Sequence, residues 1–398
     1  MSEKCNVRWT RREFGRAVMA AGAMAAIPRW LGAEEAAAGQ DLPAAEQGVT
    51  GPSSLRAHAE ARGLMYGTAV VPQLLDVDGF AAGTTTNGYT LLIKEQANIL
   101  VAENAMKWRA LRPSPASFDF AQADKLIRFA KLSGQRVRGH NLCWHEGNPD
   151  WLKTTATKEN ARQLLTEHIS KVAGHFRGQL HSWDVVNEAI NPKDDLTDGL
   201  RKTIWLDLIG PEYLELAYRT AAEADPTAKL TYNDYDIELD TPEQTTKRAQ
   251  VLALLRRFKA KGVPIHAVGV QSHLKADGVQ PGAGLVAFIR EVGKMGLEVY
   301  ITEMDVNTRK IEGGAEAQDA AVARVFGEYP RLVLAEPNVP LLLTWGITSA
   351  HSWLSHSTQP WARRADGTEQ RAVPFDDDLK PTPAYFALRK AIDGAARR

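Results

Sequence analysis

The sequence predicts an α/β fold, a (β/α)8 barrel, from three observations. Short β-rich runs recur eight times, amphipathic helical segments lie between them, and polar residues gather just past the carboxyl ends of the runs.

The runs fall at 64–70, 97–101, 136–142, 180–186, 229–232, 266–270, 298–302 and 340–344. Between them, 158–176 places Ala161, Leu164, Leu165, Ile169 and Val172 on one helical face, and 244–261 repeats the spacing with Val251, Leu254, Leu255 and Phe258. The segment 382–392 supplies the last helix. Strand followed by helix implies parallel strands with crossovers, and eight such units can close on themselves. An open doubly wound sheet is the alternative, but it would scatter polar strand ends along an edge. Here seven runs end in such residues: Glu103 and Asn104; His140; Asn187 and Glu188; Asn233 and Asp234; Gln271 and His273; Glu303 and Asp305; and Trp345. Their convergence on one cup predicts a closed TIM barrel, a single catalytic domain over 55–395.

With 398 residues and 44% hydrophobic positions, the chain can bury one large core. Basic and acidic residues balance at 48 each, and no basic stripe for nucleic acid or an anionic membrane stands out, which suits a neutral substrate. Ahead of the domain, Thr10-Arg11-Arg12-Glu13-Phe14-Gly15-Arg16 reads as a twin-arginine export motif, followed by an apolar stretch at 17–27. That stretch is shorter than the roughly 20 residues that span a bilayer, so a signal peptide over 1–32 is predicted rather than an anchor. Residues 33–54, rich in Ala, Gly, Glu and Pro, are predicted to be a cleavage region and flexible linker. Cleavage removes Cys5 and leaves Cys143 alone, so no internal disulfide is expected despite export to the periplasm or the cell exterior.

Two positions carry the chemistry. The fourth run ends Trp183-Asp184-Val185-Val186-Asn187-Glu188, and the seventh ends Tyr300-Ile301-Thr302-Glu303-Met304-Asp305. A carboxylate directly after an apolar strand is costly to desolvate unless it is paired or used. Alone, each Glu reads more readily as a rim ion pair. Together they fit cleavage of a glycosidic bond, which needs a proton for the departing oxygen and a nucleophile or water for the anomeric carbon. Asp305, two positions beyond Glu303, shares its side of the strand and is placed to bind His273.

Five longer motifs follow one another in order: Glu103-Asn104-Ala105-Met106-Lys107-Trp108, Gly139-His140-Asn141-Leu142-Cys143-Trp144-His145, Trp183-Asp184-Val185-Val186-Asn187-Glu188-Ala189, Val270-Gln271-Ser272-His273-Leu274 and Ile301-Thr302-Glu303-Met304-Asp305. Ala224-Asp225-Pro226, Asn233-Asp234-Tyr235, Trp345-Gly346 and Trp353 fill the gaps. From about 55 to about 392 this series resembles glycoside hydrolase family 10, whose members include retaining endo-β-1,4-xylanases. The resemblance implies Glu188 as general acid/base and Glu303 as nucleophile, with carboxyl groups about 5–5.5 Å apart. A neighbouring anion and partial burial would then raise the pKa of Glu188, so that it holds a proton while Glu303 is ionised.

By the same resemblance, His273, Asp305 and Asn187 support the pair, and Trp144, Trp345 and Trp353 wall the reactive subsite. Glu103, Asn104, Lys107, His140, Asn233, Tyr235 and Gln271 are implied as sugar binders. Because Asn187 and Glu188 are both used, the fourth strand must twist or bulge at its end. No metal and no cofactor is implied. Xylan and xylo-oligosaccharides are the implied partners, without nucleic acid, and the mature chain is expected to be an unanchored monomer.

Three positions depart from the pattern. Gly147 stands where the family commonly has Gln, and Ser349 and His351 replace an Asp and an aromatic residue, which bears on subsite affinity and tolerance of side groups. A β-1,4-glucan remains the neighbouring substrate; crowding near Trp345, Trp353 and Lys107 would select against its hydroxymethyl groups only modestly. A metal hydrolase using His140, His145, His266 and His273 lacks a tight ligand spacing. A non-catalytic carbohydrate-binding barrel would need neither glutamate.

Overall fold

Apolar runs flanked by helices on every side satisfy their backbone only by pairing with one another, and in the computed structural model eight of them do so in a closed ring. The structure describes residues 48–357 and 359–398. Strands β1 (Met65–Val70), β2 (Ile99–Ala102), β3 (Arg136–Cys143), β4 (Ser182–Asn187), β5 (Lys229–Asp234) and β6 (Ala267–Val270) each pair with the next. After β7 (His273–Lys275), β8 (Glu298–Asn307) pairs with β6 and with β9 (Leu341–Thr344), and β9 returns to β1 with Met65 opposite Leu341. All these pairings are parallel, so the carboxyl ends open on one face.

The eight expected runs are the eight barrel strands. Two features are additional. β8 continues to Asn307 rather than stopping at 302, and the short β7 pairs with its outer end, His273 opposite Asp305.

Alternation along each strand builds two cores. Ile99 and Val101 of β2 face the barrel interior with Ala69, Ala267, Tyr300, Leu341 and Leu343, while Leu100 and Ala102 join the layer between sheet and helices. That layer receives Leu165, Ile169 and Val172 from the helix Ala161–His175, and Val251, Leu254, Leu255 and Phe258 from the helix Pro242–Ala260. Thr241 starts the latter helix by accepting from the Gln244 amide, with Pro242 at its first position. The last helix, Pro383–Asp393, matches the segment expected at 382–392. Cys143 is buried on β3 with a free thiol, which burial pushes up in pKa.

The expected linker ends earlier than 54. Gln96 donates to the Val49 carbonyl at 2.6 Å, Arg389 to the Gly48 carbonyl at 2.6 Å and Tyr385 to the Ser53 carbonyl at 2.7 Å. These bonds dock 48–54 against the helices beside β1 and the chain's end. The bonds are made to backbone carbonyls, which composition does not reveal. The twin-arginine motif, Cys5 and the rest of the predicted linker lie outside the described residues. Among those described, no helix is long and apolar enough to cross a membrane.

Candidate active site

Glu188 follows directly on β4, and Glu303 lies within β8. β4 solves the problem of presenting two consecutive side chains by breaking its regularity twice. Its register against β5 shifts between Asp184 and Val186, and Glu188 adopts a left-handed backbone with φ 59°. A regular strand would turn Glu188 away from Asn187. Here Asn187 Nδ2 donates to Glu188 Oε1 at 3.0 Å.

The two carboxylates share one amide network. Asn233 Nδ2 donates to Glu303 Oε1 at 2.8 Å and to Asn187 Oδ1 at 2.9 Å, so Glu303, Asn233, Asn187 and Glu188 form a continuous bridge. Glu188 also accepts from Gln271 Nε2 at 2.8 Å and from Trp144 Nε1 at 2.8 Å. Asn233 and Gln271, expected to bind sugar, therefore direct their amides to Asn187 and the two glutamates. Their places at the ends of adjacent strands leave the amides nearest to those groups.

Glycine makes room for this bridge. A Cβ on Gly269 of β6 would lie 2.1 Å from Asn233 Oδ1, the atom that accepts from Thr302 Oγ1 at 2.7 Å. Gly269→Ala is expected to cost about 1–3 kcal/mol of stability and to lower kcat by displacing Asn233. Thermal melting and steady-state kinetics check it; unchanged values would show that the bridge tolerates the extra atom.

The support expected around Glu303 is in place. His273 Nδ1 lies 2.9 Å from Asp305 Oδ1, and its Nε2 lies 3.4 Å from Glu303 Oε2. Trp353 Nε1 donates to Asp305 Oδ2 at 2.6 Å, so this tryptophan also orients a carboxylate. His140 Nδ1 lies 2.9 Å from Asp184 Oδ2, with Arg138 paired to the same carboxylate deep in the barrel, and Trp345 meets the His140 ring edge-on at 5.3 Å. Lys107 Nζ donates to Asn104 Oδ1 at 2.9 Å and stands 5.4 and 5.8 Å from the Trp144 and Trp345 ring centroids. Asn104 in turn donates to Glu103 at 3.1 Å.

Electrostatics drive the two glutamates apart. Burial raises the pKa of Glu188, and the Asp234 carboxylate adds to the rise, against the Gln271 and Trp144 hydrogen bonds. Asp234 is thus an anion that the sequence did not single out for this effect. Burial would raise Glu303 as well. The His273 hydrogen bond, the His140 and His273 charges and the Asn233 amide outweigh it and hold Glu303 at about 2. Burial likewise opposes charge on His273, but Asp305 and Glu303 keep its pKa well above the usual histidine value.

Several residues went unrecognised in the sequence. Arg201, on a loop without periodic pattern, donates from Nε to the Glu188 carbonyl at 2.6 Å and from Nη2 to the Tyr235 hydroxyl at 2.8 Å. Lys247 pairs with buried Asp234 at 2.7 Å and lies 4.0 Å from the Tyr235 ring centroid. Its signal was present: 247 falls on the buried stripe with 251, 254 and 258. His145, noted only within a motif and as a candidate metal ligand, places Nδ1 3.6 Å from Glu188 Oε2.

Of the three departures, the one at Gly147 has a local cause. Gly147 has φ 63°, a Cβ there would press on the Trp144 ring at 3.1 Å, and its carbonyl accepts from the Arg109 amide at 2.8 Å. The loop thus takes a path that a side chain would strain. Ser349 is buried and its hydroxyl has no partner among the described residues, while exposed His351 meets Tyr89 edge-on at 5.2 Å.

Comparison with known proteins agrees with this geometry. The family model described as Glycosyl hydrolase family 10 matches residues 54–391. A "Beta-1,4-xylanase" of Dictyoglomus thermophilum is 33% identical over 335 residues, covering 80% of this chain and 91% of the relative. An "Endo-1,4-beta-xylanase B" of Thermotoga neapolitana is 34% identical, covering 79% and 88%. Among solved structures, native xylanase 10B from Thermotoga maritima superposes with a TM-score of 0.74 at 33% identity, covering 85% of this chain and 98% of that one. Xylanase 10B from Thermotoga petrophila RKU-1, solved in complex with xylobiose, gives 0.73 at 31% identity, covering 85% and 97%. A closed parallel barrel, a pair of glutamates at its mouth and a match along nearly the whole described chain lead to one assignment: the chain belongs to glycosyl hydrolase family 10.

Proposed function

We propose that this chain is a retaining endo-β-1,4-xylanase in which Glu303 is the nucleophile and Glu188 the general acid/base. The observation that carries the reading is the opposite displacement of two carboxyl groups joined by one amide bridge. An ionised Glu303 thus shares its network with a Glu188 whose pKa burial raises, the division that an acid and a nucleophile require.

In the first step a Glu303 oxygen bonds to the anomeric carbon as the glycosidic bond breaks, and the Glu188 proton passes to the departing oxygen. Glu303 is then a neutral ester. With that negative charge gone, ionised Glu188 takes a proton from water, the hydroxide equivalent bonds to the anomeric carbon, and Glu303 leaves as carboxylate. His273, held by Asp305 and facing Glu303 Oε2, stabilises the charge that Glu303 carries before and after the ester. The relatives named as xylanases and the neighbour bound to xylobiose support xylan as the substrate.

Export by the twin-arginine route belongs to the same proposal, supported by Arg11, Arg12 and the apolar stretch at 17–27. The mechanism predicts that hydrolysis of a xylo-oligosaccharide releases the β-anomer first, visible by prompt proton NMR. Initial α-anomer would overturn the double displacement.

A further inference from the structure

Gln271 and His273, which serve different glutamates, flank a corner in the chain. β6 pairs Val270 with Ile301 and β7 pairs His273 with Asp305, so three steps of one chain answer four of β8. Ser272 makes the turn between them, buried and in a left-handed backbone with φ 67°. A serine holds that conformation only where its surroundings impose it. Four contacts with the catalytic centre start from this corner. Gln271 Nε2 donates to Glu188 and His273 Nε2 faces Glu303, while the Gln271 carbonyl accepts from the Glu303 amide at 2.9 Å and the Ser272 carbonyl from the Asp305 amide at 3.4 Å.

Glu238, on the loop after β5, braces the turn. Its Oε1 accepts from the Ser272 amide at 2.9 Å and its Oε2 from the Ile237 amide at 2.9 Å. The Ser272 hydroxyl meets the Tyr329 hydroxyl at 2.6 Å, which leaves the amide to Glu238. Each carboxylate oxygen serves a different N–H, so an amide side chain, with one oxygen, would turn its NH2 on one of them. Burial raises the pKa of Glu238, the Ser272 amide opposes the rise and Asp236 adds to it, so the carboxyl group is held there against its own desolvation.

We propose that Glu238 is a positioning residue for both catalytic glutamates, fixing the corner from which Gln271 reaches Glu188 and His273 reaches Glu303. The inference rests on the retaining reading above and deepens it by naming what keeps the donors of the two carboxyl groups in place.

Glu238→Gln is expected to lower kcat on a linear xylo-oligosaccharide about 10- to 100-fold with KM little changed. The acid limb of its kcat/KM profile should rise into the range of an ordinary glutamate, about 4, and the alkaline limb should climb by roughly half a unit. The sign is the same on both sides, since a slackened His273 no longer holds Glu303 down and a slackened Gln271 no longer opposes the rise at Glu188. The other charges facing the pair are His140, His145, Asp234, Arg201 and Lys107, none of which the substitution replaces. Glu238→Asp, one methylene shorter and still a carboxylate, should move the profile the same way by less, and it decides the matter if the glutamine variant does not fold. A folded variant that melts earlier but keeps the wild-type profile makes Glu238 a scaffold residue only and overturns the proposal. A wild type that cleaves no linear chain brings down the xylanase reading first; normal wild-type cleavage with unmoved variant profiles brings down this inference alone.

Discussion

Replacing Glu303 by Ala is expected to lower kcat/KM on xylo-oligosaccharides by at least about 10,000-fold while oligosaccharide binding stays measurable by calorimetry. The loss is large because the residue forms a bond that nothing nearby can supply. His273 and Asn233 contact Glu303 as donors, and Asp305 is engaged by His273 and Trp353. Among the described residues, no free carboxylate contacts Glu303 to replace it. Binding survives because Glu103, Asn104, Lys107 and the tryptophan faces do not depend on the ester. Since Glu303 is held at about 2, the wild-type nucleophile stays ionised from about pH 3 upward, so the acid side of the rate profile above that pH does not report it. Turnover near the wild-type rate in this variant would remove Glu303 from the mechanism.

Glu188→Ala is expected to slow cleavage of unsubstituted oligosaccharides about 100- to 10,000-fold, with a signature that separates it from the nucleophile variant. A xylosyl alcohol needs a proton as it departs, whereas a dinitrophenolate does not. On a dinitrophenyl xylobioside the first step should therefore stay fast and the second slow, giving a burst of phenolate. Azide, which needs no general base, should speed the second step. The pH sign follows from the raised pKa of Glu188: the wild type loses activity as pH climbs through that value, and the variant lacks this limb. A variant without a burst, or with the alkaline limb intact, would assign the proton to another group.

The barrel strands were legible because strands buried on both faces read as continuous apolar runs of fixed length. β7 and the outer half of β8 were not, because their residues are chosen for the cup: His273, Glu303 and Asp305 interrupt any apolar pattern. The His273–Asp305 contact was legible from the two-residue spacing of Glu303 and Asp305. Arg201 was not, since what it holds is a backbone carbonyl and a tyrosine hydroxyl reached from a patternless loop. Asn233 and Gln271 show a further limit. Sequence gives an amide at a strand end, and only the fold decides whether that amide meets sugar or carboxylate. Residues 48–54 reverse the usual inference in the same way, because what docks them is their backbone carbonyls, which a composition rich in small residues does not reveal.

The left-handed backbone of Glu188 ties conformational strain to turnover at a single position. Glycine there would relieve strain of about 1–2 kcal/mol and remove the acid/base in the same stroke. The same exchange strips Asn187, Gln271 and Trp144 of the carboxylate they donate to, so the relief of strain is offset by donors left without an acceptor. Variants that become more robust and still cut must take their gain elsewhere in the chain.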